Sequence, residues 1–307
     1  MPAGLLGIEE LERSEIEAIL NRAKDFQPLE NQSFKRLDLL RGKMIVNLFF
    51  EASTRTRTSF EIATKRLGAD AISITAAGSS VSKGESLVDT LNTLAAMRPD
   101  AIVMRHSASG APHFLARHLP RTPIINAGDG VGEHPTQALL DAYTIRRELD
   151  RLEGLTVAMV GDLLYGRTVH SLTRLLINRG NTFRFVSPHS LRMPEELLAE
   201  VEAAGDEYTE HEDVMEIIDE ADVLYVTRVQ KERFTDLSEY DKVNGAYTIT
   251  PEVMQHAKEE MVVMHPLPRV GEITYEVDED PRAAYFRQMQ NGLYIRMALL
   301  AAVLGRA

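Results

Sequence analysis

The sequence has no cysteine among its 307 residues. That absence excludes disulfide bonds, zinc sites built on thiolates and a cysteine nucleophile. The chain also lacks an apolar run of the roughly 18 residues that a membrane-spanning helix needs, and its N-terminus lacks the basic and then apolar pattern of a secretion signal. We therefore expect a cytoplasmic protein that does not bind membranes.

An excess of basic residues is missing as well. Asp and Glu number 46 against 34 Lys and Arg, which gives a net charge of −12. A nucleic-acid-binding surface normally carries an excess of positive charge, so this balance argues against a nucleic-acid partner. If the ligand is a small anion, the cations that bind it must be concentrated locally against the overall sign.

The composition that remains is that of an ordinary globular protein, with 44% hydrophobic and 26% charged residues. At roughly 100–200 residues per domain, the length predicts two domains. Apolar, strand-like runs alternate with helical stretches almost throughout, a pattern typical of α/β folds with parallel sheets covered on both faces. Ser14 and Glu17 have the spacing of a capping box and predict the start of the first helix.

A run of hydroxyl and guanidinium side chains, residues 53–57, follows the apolar stretch 44–50, and a helix is predicted from Thr58. Backbone N–H groups at a helix start form an anion site together with the helix dipole, and a planar guanidinium suits phosphate oxygens. For an isolated Ser-Thr pair, helix capping would be the better interpretation. Two arginines interleaved with three hydroxyls after a buried strand favour phosphate binding. No GxxxxGK[ST] motif occurs, so ATP is not implied. The run consists of Ser53, Thr54, Arg55, Thr56 and Arg57.

This run resembles the carbamoyl-phosphate signature of the aspartate and ornithine carbamoyltransferases, and the resemblance covers essentially the whole chain. It implies an α/β fold of two domains, each a mostly parallel sheet flanked by helices, linked by two interdomain helices. Residues 1–133, completed by a C-terminal helix at 285–307, would form the carbamoyl-phosphate-binding domain. Residues 134–284, including a linker helix at 134–149, would form the aspartate-binding domain.

Three further polar residues lie where a sheet of this kind binds ligands. Arg105 follows the apolar stretch 101–104, at the carboxyl end of a predicted parallel strand, and His134 and Gln137 lie at a helix start. Taken alone, Arg105 would be a surface charge and His134 a helix cap. The resemblance implies instead that all three hold the carbonyl and amino ends of carbamoyl phosphate. It assigns catalysis to Arg55, Thr56, Arg105 and His134.

Cations suited to a dicarboxylate follow two later strands. Arg167 lies in a glycine-containing turn after the predicted strand 156–160, and Arg228 follows the predicted strand 223–226. The glycines of that turn have the wrong spacing for GxGxxG, which disfavours a dinucleotide site. The resemblance implies that Arg167 binds one carboxylate of aspartate and that Arg228 and Gln230 bind the other.

A polar loop implies a site shared between subunits. In the family, the matching loop reaches into the active site of the neighbouring subunit with its lysine, which is Lys83 here. The sequence does not choose between Ser79 and Ser80 as the accompanying hydroxyl. The resemblance therefore implies a homotrimer, and it leaves open a regulatory chain or a pathway partner.

The segment from His265 to Arg269 decides between the two acceptors. Its prolines fix a loop whose carbonyls can accept hydrogen bonds. The family uses the carbonyls at Pro266 and Leu267 to bind carbamoyl phosphate, and Leu267 also contributes to the aspartate site. Ornithine carbamoyltransferases carry a cysteine where this chain has Pro266, so aspartate is favoured over ornithine.

The predicted function is transfer of the carbamoyl group of carbamoyl phosphate to the α-amine of L-aspartate, a step of de novo pyrimidine biosynthesis. The reaction implies no cofactor and no metal. A non-catalytic binding protein on the same fold is the alternative from a different class. Loss of Arg55, His134 or Arg167 would indicate it, and all three are present.

Overall fold

A computed structural model describes residues 4–75, 86–229 and 247–305. The chain forms two compact units, Met1–Leu140 with Gln290–Ala307 and Asp141–Met289. Within the described ranges, each unit has one five-stranded sheet.

The sheet of the first unit is parallel throughout. Its strands are β1 (Gly4–Leu5), β2 (Met44–Phe49), β3 (Asp70–Thr75), β4 (Ala101–His106) and β5 (Ile124–Asp129), in the order β1-β5-β4-β2-β3. The helices of this unit include α1 (Arg13–Lys24), α2 (Thr54–Arg66), α3 (Leu87–Met97) and α4 (Ala111–His118).

The inner strands of this sheet are buried apolar runs, as parallel strands covered on both faces require. Leu48 of β2 and Met104 of β4 pack in one cluster with Leu91 of α3 and Leu115 of α4. The carboxyl ends of β2 and β4 are held together because the Phe50 N–H donates to the Arg105 carbonyl at 2.8 Å. The segments that follow these strands therefore meet at one edge of the sheet.

The sheet of the second unit is also parallel. Its strands are β6 (Thr156–Val160), β7 (Thr182–Val186), β8 (Glu207–His211), β9 (Val223–Val226) and β10 (Val262–Met264), in the order β10-β9-β6-β7-β8. Its helices include α6 (Arg167–Leu176), α7 (Glu195–Ala203) and α8 (Pro251–Gln255). Two of the predicted carboxylate ligands follow neighbouring strands of this sheet. Arg167 lies after β6, and Arg228 lies after β9.

Two helices have residues in both units, namely α5 (Pro135–Leu149) and α9 (Tyr285–Val303). The predicted fold class, two mostly parallel sheets flanked by helices, is confirmed. No helix in the three described stretches combines the length and the apolarity needed to cross a membrane.

Two helix starts predicted from the sequence are wrong. Helix α1 begins at Arg13, and its capping box is formed by Glu12 and Glu15, with the Glu12 N–H donating to the Glu15 carboxylate at 3.1 Å. This pair satisfies the first N–H groups before Ser14 is reached. Helix α2 begins at Thr54 rather than Thr58, so the arginine- and threonine-rich run forms its first turn.

Two strands were missed, β1 and β8. Both lie at sheet edges. Strand β8 has the sequence Glu-Tyr-Thr-Glu-His and strand β1 has only two residues, so neither contains the apolar run by which a buried strand is predicted.

Candidate active site

The start of α2 forms the predicted phosphate site. Ser53 occupies the N-cap position with an extended backbone, and its hydroxyl makes no capping hydrogen bond. Thr54, Arg55 and Thr56 occupy the first turn, whose N–H groups have no partner within the helix. Thr56 is buried, whereas Arg55 is exposed as a residue, and partial desolvation lowers the pKa of its guanidinium. An arginine remains charged despite such a shift, so the helix start combines N–H donors that lack an intrahelical partner with a permanent positive charge.

Arg105 lies near the carboxyl end of β4 and is held by two acceptors of the first unit. Its Nη1 donates to the carbonyl of Ala127 at 3.2 Å, and its Nη2 donates to Oε1 of Glu51 at 2.5 Å. The Arg105 side chain is 11% exposed and that of Glu51 is 30% exposed. The guanidinium is thus fixed in position, and one acidic partner remains open to water.

His134 lies beside Arg105, between β5 and α5. Its Nε2 is 3.4 Å from Nη1 of Arg105, and its Nδ1 is 3.5 Å from the Thr136 hydroxyl. A guanidinium can only donate, so Nε2 acts as the acceptor and the ring proton is on Nδ1. Gln137 is buried one turn further on, and its N–H donates to the His134 carbonyl at 2.9 Å.

Asp129 holds the loop that carries His134. It is 2% exposed, and its carboxylate accepts the N–H groups of Glu133 at 2.8 Å and Gly110 at 2.6 Å. Asn126 donates to the same carboxylate at 3.1 Å. These contacts fix the backbone just before the histidine. Glu51 and Asp129 hold predicted site residues in place, and no sequence pattern pointed to either of them.

In the second unit, Arg167 and Arg228 follow neighbouring strands. Arg167 is the first residue of α6, after β6, and Arg228 follows β9. The two strands pair in parallel, so both arginines lie at the carboxyl edge of the sheet. Gly161 has φ of 118°, and a Cβ there would lie 2.3 Å from the Thr227 carbonyl oxygen. Only glycine allows the two strand ends to approach so closely.

Pro266 and Leu267 lie at the same edge, after β10, which pairs with β9. Both are half-buried. The far end of their loop is tied down by Arg269, whose Nη2 donates to Oδ2 of Asp278 at 2.5 Å. Hydrogen bonds from Arg269 lower the pKa of Asp278, and burial together with Asp278 raises the pKa of Tyr285 to about 12.

The structure therefore collects the predicted residues in two sets. The first unit brings together Ser53, Thr54, Arg55, Thr56, Arg105, His134 and Gln137, and the second brings together Arg167, Arg228, Pro266 and Leu267. Lys83, Gln230 and the alternatives Ser79 and Ser80 lie outside the described residues. In the described part of the chain, no group of three or more His, Cys, Asp or Glu side chains is placed to hold a metal ion.

Comparison with known proteins identifies the family of both units. Residues 4–147 match the carbamoyl-phosphate-binding domain model of the aspartate/ornithine carbamoyltransferases, and residues 153–303 match their Asp/Orn-binding domain model. The chain belongs to the aspartate/ornithine carbamoyltransferase family. The resemblance predicted from residues 53–57 and the motifs after them is thereby confirmed.

Relatives within the family include aspartate carbamoyltransferase catalytic subunits. The catalytic subunit of Solibacter usitatus is 60% identical over 311 residues, covering 99% of this chain and 100% of that protein. The multifunctional protein CAD of Squalus acanthias is 48% identical over 302 residues, which is 98% of this chain and 13% of that protein. The predicted enzyme class, aspartate carbamoyltransferase, is confirmed by these relatives.

Solved structures agree. The catalytic subunit of M. jannaschii aspartate transcarbamoylase superposes with a TM-score of 0.91 at 45% identity, covering 99% of this chain and 98% of that one. The Trypanosoma cruzi aspartate transcarbamoylase in complex with carbamoyl phosphate and aspartate gives 0.90 at 42% identity, covering 97% and 95%. The fold described above is thus shared with solved aspartate transcarbamoylases.

Proposed function

We propose that this protein transfers the carbamoyl group of carbamoyl phosphate to the α-amine of L-aspartate, giving N-carbamoyl-L-aspartate and phosphate in de novo pyrimidine biosynthesis. The observation that carries the proposal is Arg105 against His134, at the sheet edge where the start of α2 supplies an anion site. Support comes from the T. cruzi relative, which was crystallised with both substrates and also with carbamoyl aspartate and phosphate.

Carbamoyl phosphate binds chiefly to the first unit in this proposal. The start of α2 receives the phosphate through its N–H groups, its hydroxyls and Arg55. Arg105, His134 and Thr56 surround the carbonyl oxygen. The amino group is bound by Gln137 and by the carbonyls of Pro266 and Leu267. The full set proposed for this substrate is Ser53, Thr54, Arg55, Thr56, Arg105, His134, Gln137, Pro266 and Leu267.

Aspartate is assigned to the cations of the second unit. Arg167 binds one carboxylate, and Arg228 with Gln230 binds the other. A planar guanidinium can bind a carboxylate through two parallel hydrogen bonds, and this geometry favours an acidic over an amine-bearing substrate. Leu267 and Lys83 complete the aspartate site.

The proposed chemistry needs no covalent enzyme intermediate, no metal and no cofactor. The α-amine attacks the carbonyl carbon, and negative charge develops on the carbonyl oxygen. Arg105, His134 and Thr56 stabilise that oxyanion, while Arg55 stabilises the departing phosphate. The C–O bond to phosphate then breaks, and the phosphate takes the proton of the amine, so no protein base is required.

Phosphate release from carbamoyl phosphate tests this function directly. We expect release with L-aspartate and only background release with L-ornithine, since Pro266 and Arg228 stand where ornithine enzymes differ. A preference for ornithine would transfer the protein to the other branch of the family. Release with neither amino acid would contradict carbamoyl transfer and favour a non-catalytic binding protein.

We further propose a cytoplasmic homotrimer in which Lys83 acts in the site of the neighbouring subunit. Residues 1–133 with 285–307 would be the carbamoyl-phosphate-binding domain and residues 134–284 the aspartate-binding domain. A regulatory chain or pathway partner is compatible with this assembly. Light scattering on the purified protein measures the number of subunits.

Subunit mixing tests the shared site. Lys83→Gln and Arg55→Ala should each be inactive alone, yet dissociating and reassembling them together should restore part of the activity. In a mixed trimer, the Lys83→Gln subunit can supply an intact Arg55 while its Arg55→Ala neighbour supplies an intact Lys83 to the same site. Arg55→Ala mixed with Arg105→Ala is the matched control and should stay inactive, because both changes damage the same side. Mixed trimers without activity in the first pair would contradict a shared site.

A further inference from the structure

The loop after β10 is held in an unusual backbone conformation. Leu267 has φ of 55°, in the left-handed region. For a residue with a Cβ, this region is unfavourable, and it persists only where the surroundings impose it. One contact that holds this backbone comes from the side chain of His265.

The side chain of His265 accepts a hydrogen bond from the backbone of Leu267. The Leu267 N–H donates to Nδ1 of His265 at 2.7 Å. A backbone N–H can only donate, so Nδ1 carries no proton and the ring hydrogen is on Nε2. Nε2 in turn lies 2.9 Å from Oε1 of Glu272, to which it donates. The tautomer of His265 is thus determined from both sides of the ring.

Glu272 fixes the ring and the loop beyond it at once. Its other oxygen accepts the Val270 N–H at 2.7 Å. Burial opposes ionisation of this carboxyl, but hydrogen bonds from His265 and from the Val270 N–H prevail and lower the pKa of Glu272. The side chains of His265 and Glu272 are 1% and 11% exposed, so water competes little for these bonds.

A buried polar chain anchors the backbone of His265 from behind. Its N–H donates to Oε1 of Gln288 at 3.0 Å, and Nε2 of Gln288 donates to Oδ1 of Asp141 at 2.6 Å. Tyr225 donates to the other Asp141 oxygen at 2.8 Å. The side chains of Gln288, Asp141 and Tyr225 are fully buried, so they hold the backbone of His265 in place even if the loop after it moves.

We propose that His265 is a positioning residue, which uses Nδ1 to hold the Leu267 N–H and thereby aims the carbonyls of Pro266 and Leu267 at the substrate. The proposal rests on the proposed function, in which those two carbonyls bind the amino group of carbamoyl phosphate. His265 acts through the loop and does not touch the substrate. Losing the acceptor at Nδ1 releases the Leu267 peptide, and a displacement of about 1 Å in a positioned group can cost up to 10²-fold in rate.

Two amide variants test this role. In His265→Asn, the side-chain oxygen branches at the same position as Nδ1 and can accept the Leu267 N–H. In His265→Gln, the amide lies one bond further out, near the position of Nε2. We expect His265→Gln to lose about 10- to 100-fold in kcat/KM for carbamoyl phosphate, and His265→Asn to retain most of the wild-type value. Both variants lose the imidazole ring, so the midpoint temperature of thermal unfolding should fall by a similar amount in each.

Equal activity of the two variants at equal folded fraction, or better activity of His265→Gln, would overturn the proposal and leave His265 a packing residue. His189→Asn and His189→Gln, at an exposed histidine, should both behave as wild type. If the wild-type protein itself releases no phosphate with aspartate, the proposed function fails instead.

The tautomer gives a readout that does not depend on turnover. In protein containing ¹⁵N-histidine, the signal lost in His265→Asn identifies His265. Near neutral pH we expect an unprotonated Nδ1 and a protonated Nε2. A proton on Nδ1 would contradict the hydrogen bond from the Leu267 N–H. It would overturn the positioning role at any level of enzyme activity.

Discussion

Arg105→Ala is expected to lower kcat by about 10²–10³, with a smaller effect on KM for aspartate. Removal of one preorganised oxyanion donor typically costs that factor, because the lost interaction is strongest when the carbonyl oxygen carries negative charge. Arg105 is well prepared for the role. Its guanidinium is held by Ala127 and Glu51 and faces His134, so little reorganisation is needed when charge develops.

The loss should be catalytic rather than structural. Glu51 loses its hydrogen bond from Arg105 in the variant, but its side chain is 30% exposed, so water can solvate the carboxylate. Glu51→Gln combined with Arg105→Ala removes the negative charge of Glu51 as well. If Glu51 alone caused the loss, this double variant would recover activity, and we expect that it does not.

Steady-state phosphate release and thermal unfolding, measured side by side, check the prediction. Arg117→Ala is the matched control, since Arg117 is an exposed arginine in the last turn of α4 in the same unit. It should keep wild-type kcat and stability. A normally folded Arg105→Ala with near-normal kcat would remove Arg105 from the oxyanion site.

Sequence periodicity was sufficient to predict the sheets because most inner strands are continuous apolar runs. It misplaced the phosphate run, which forms the first turn of α2 rather than the approach to it. Threonine and arginine are compatible with a loop as well as with the first turn of a helix. The extended backbone of Ser53 ends the loop, so the helix begins at the next residue. The N–H groups of the proposed anion site are therefore nearer to Arg55 than the sequence indicated.

Glu51 shows a different limit. Its position beside the phosphate run is visible in the sequence, yet an acid next to an anion site counts against binding until its partner is known. That partner, Arg105, is 54 residues away, and only the parallel pairing of β2 with β4 brings the two together. The hydrogen bonds that Tyr225 and Gln288 donate to Asp141 are even harder to predict from the sequence. The first joins residues 84 positions apart and the second joins residues 147 positions apart. No local pattern specifies contacts of that range.

Asp141→Ala should destabilise the protein by about 2–6 kcal/mol. Asp141 lies in α5 and is fully buried, and each of its oxygens accepts a hydrogen bond, one from Tyr225 and one from Gln288. Alanine removes the Asp141 acceptor from two buried donors, and losing such a bond costs about 1–3 kcal/mol for each donor. Chemical denaturation of the purified protein measures the loss, and Asp219→Ala, at an exposed aspartate, should stay within about 0.5 kcal/mol of wild type.

A double-mutant cycle decides whether the loss comes from the stranded donors or from the lost volume. Tyr225→Phe removes one donor, so it should cost less in the Asp141→Ala background than in wild type. Asp141→Asn keeps the volume but faces one of the two donors with an amide N–H, so its loss should be intermediate. Additive effects of Asp141→Ala and Tyr225→Phe would show that the hydroxyl does not depend on this carboxylate. A strongly non-additive cycle would establish Asp141 as the acceptor on which the buried chain behind His265 depends.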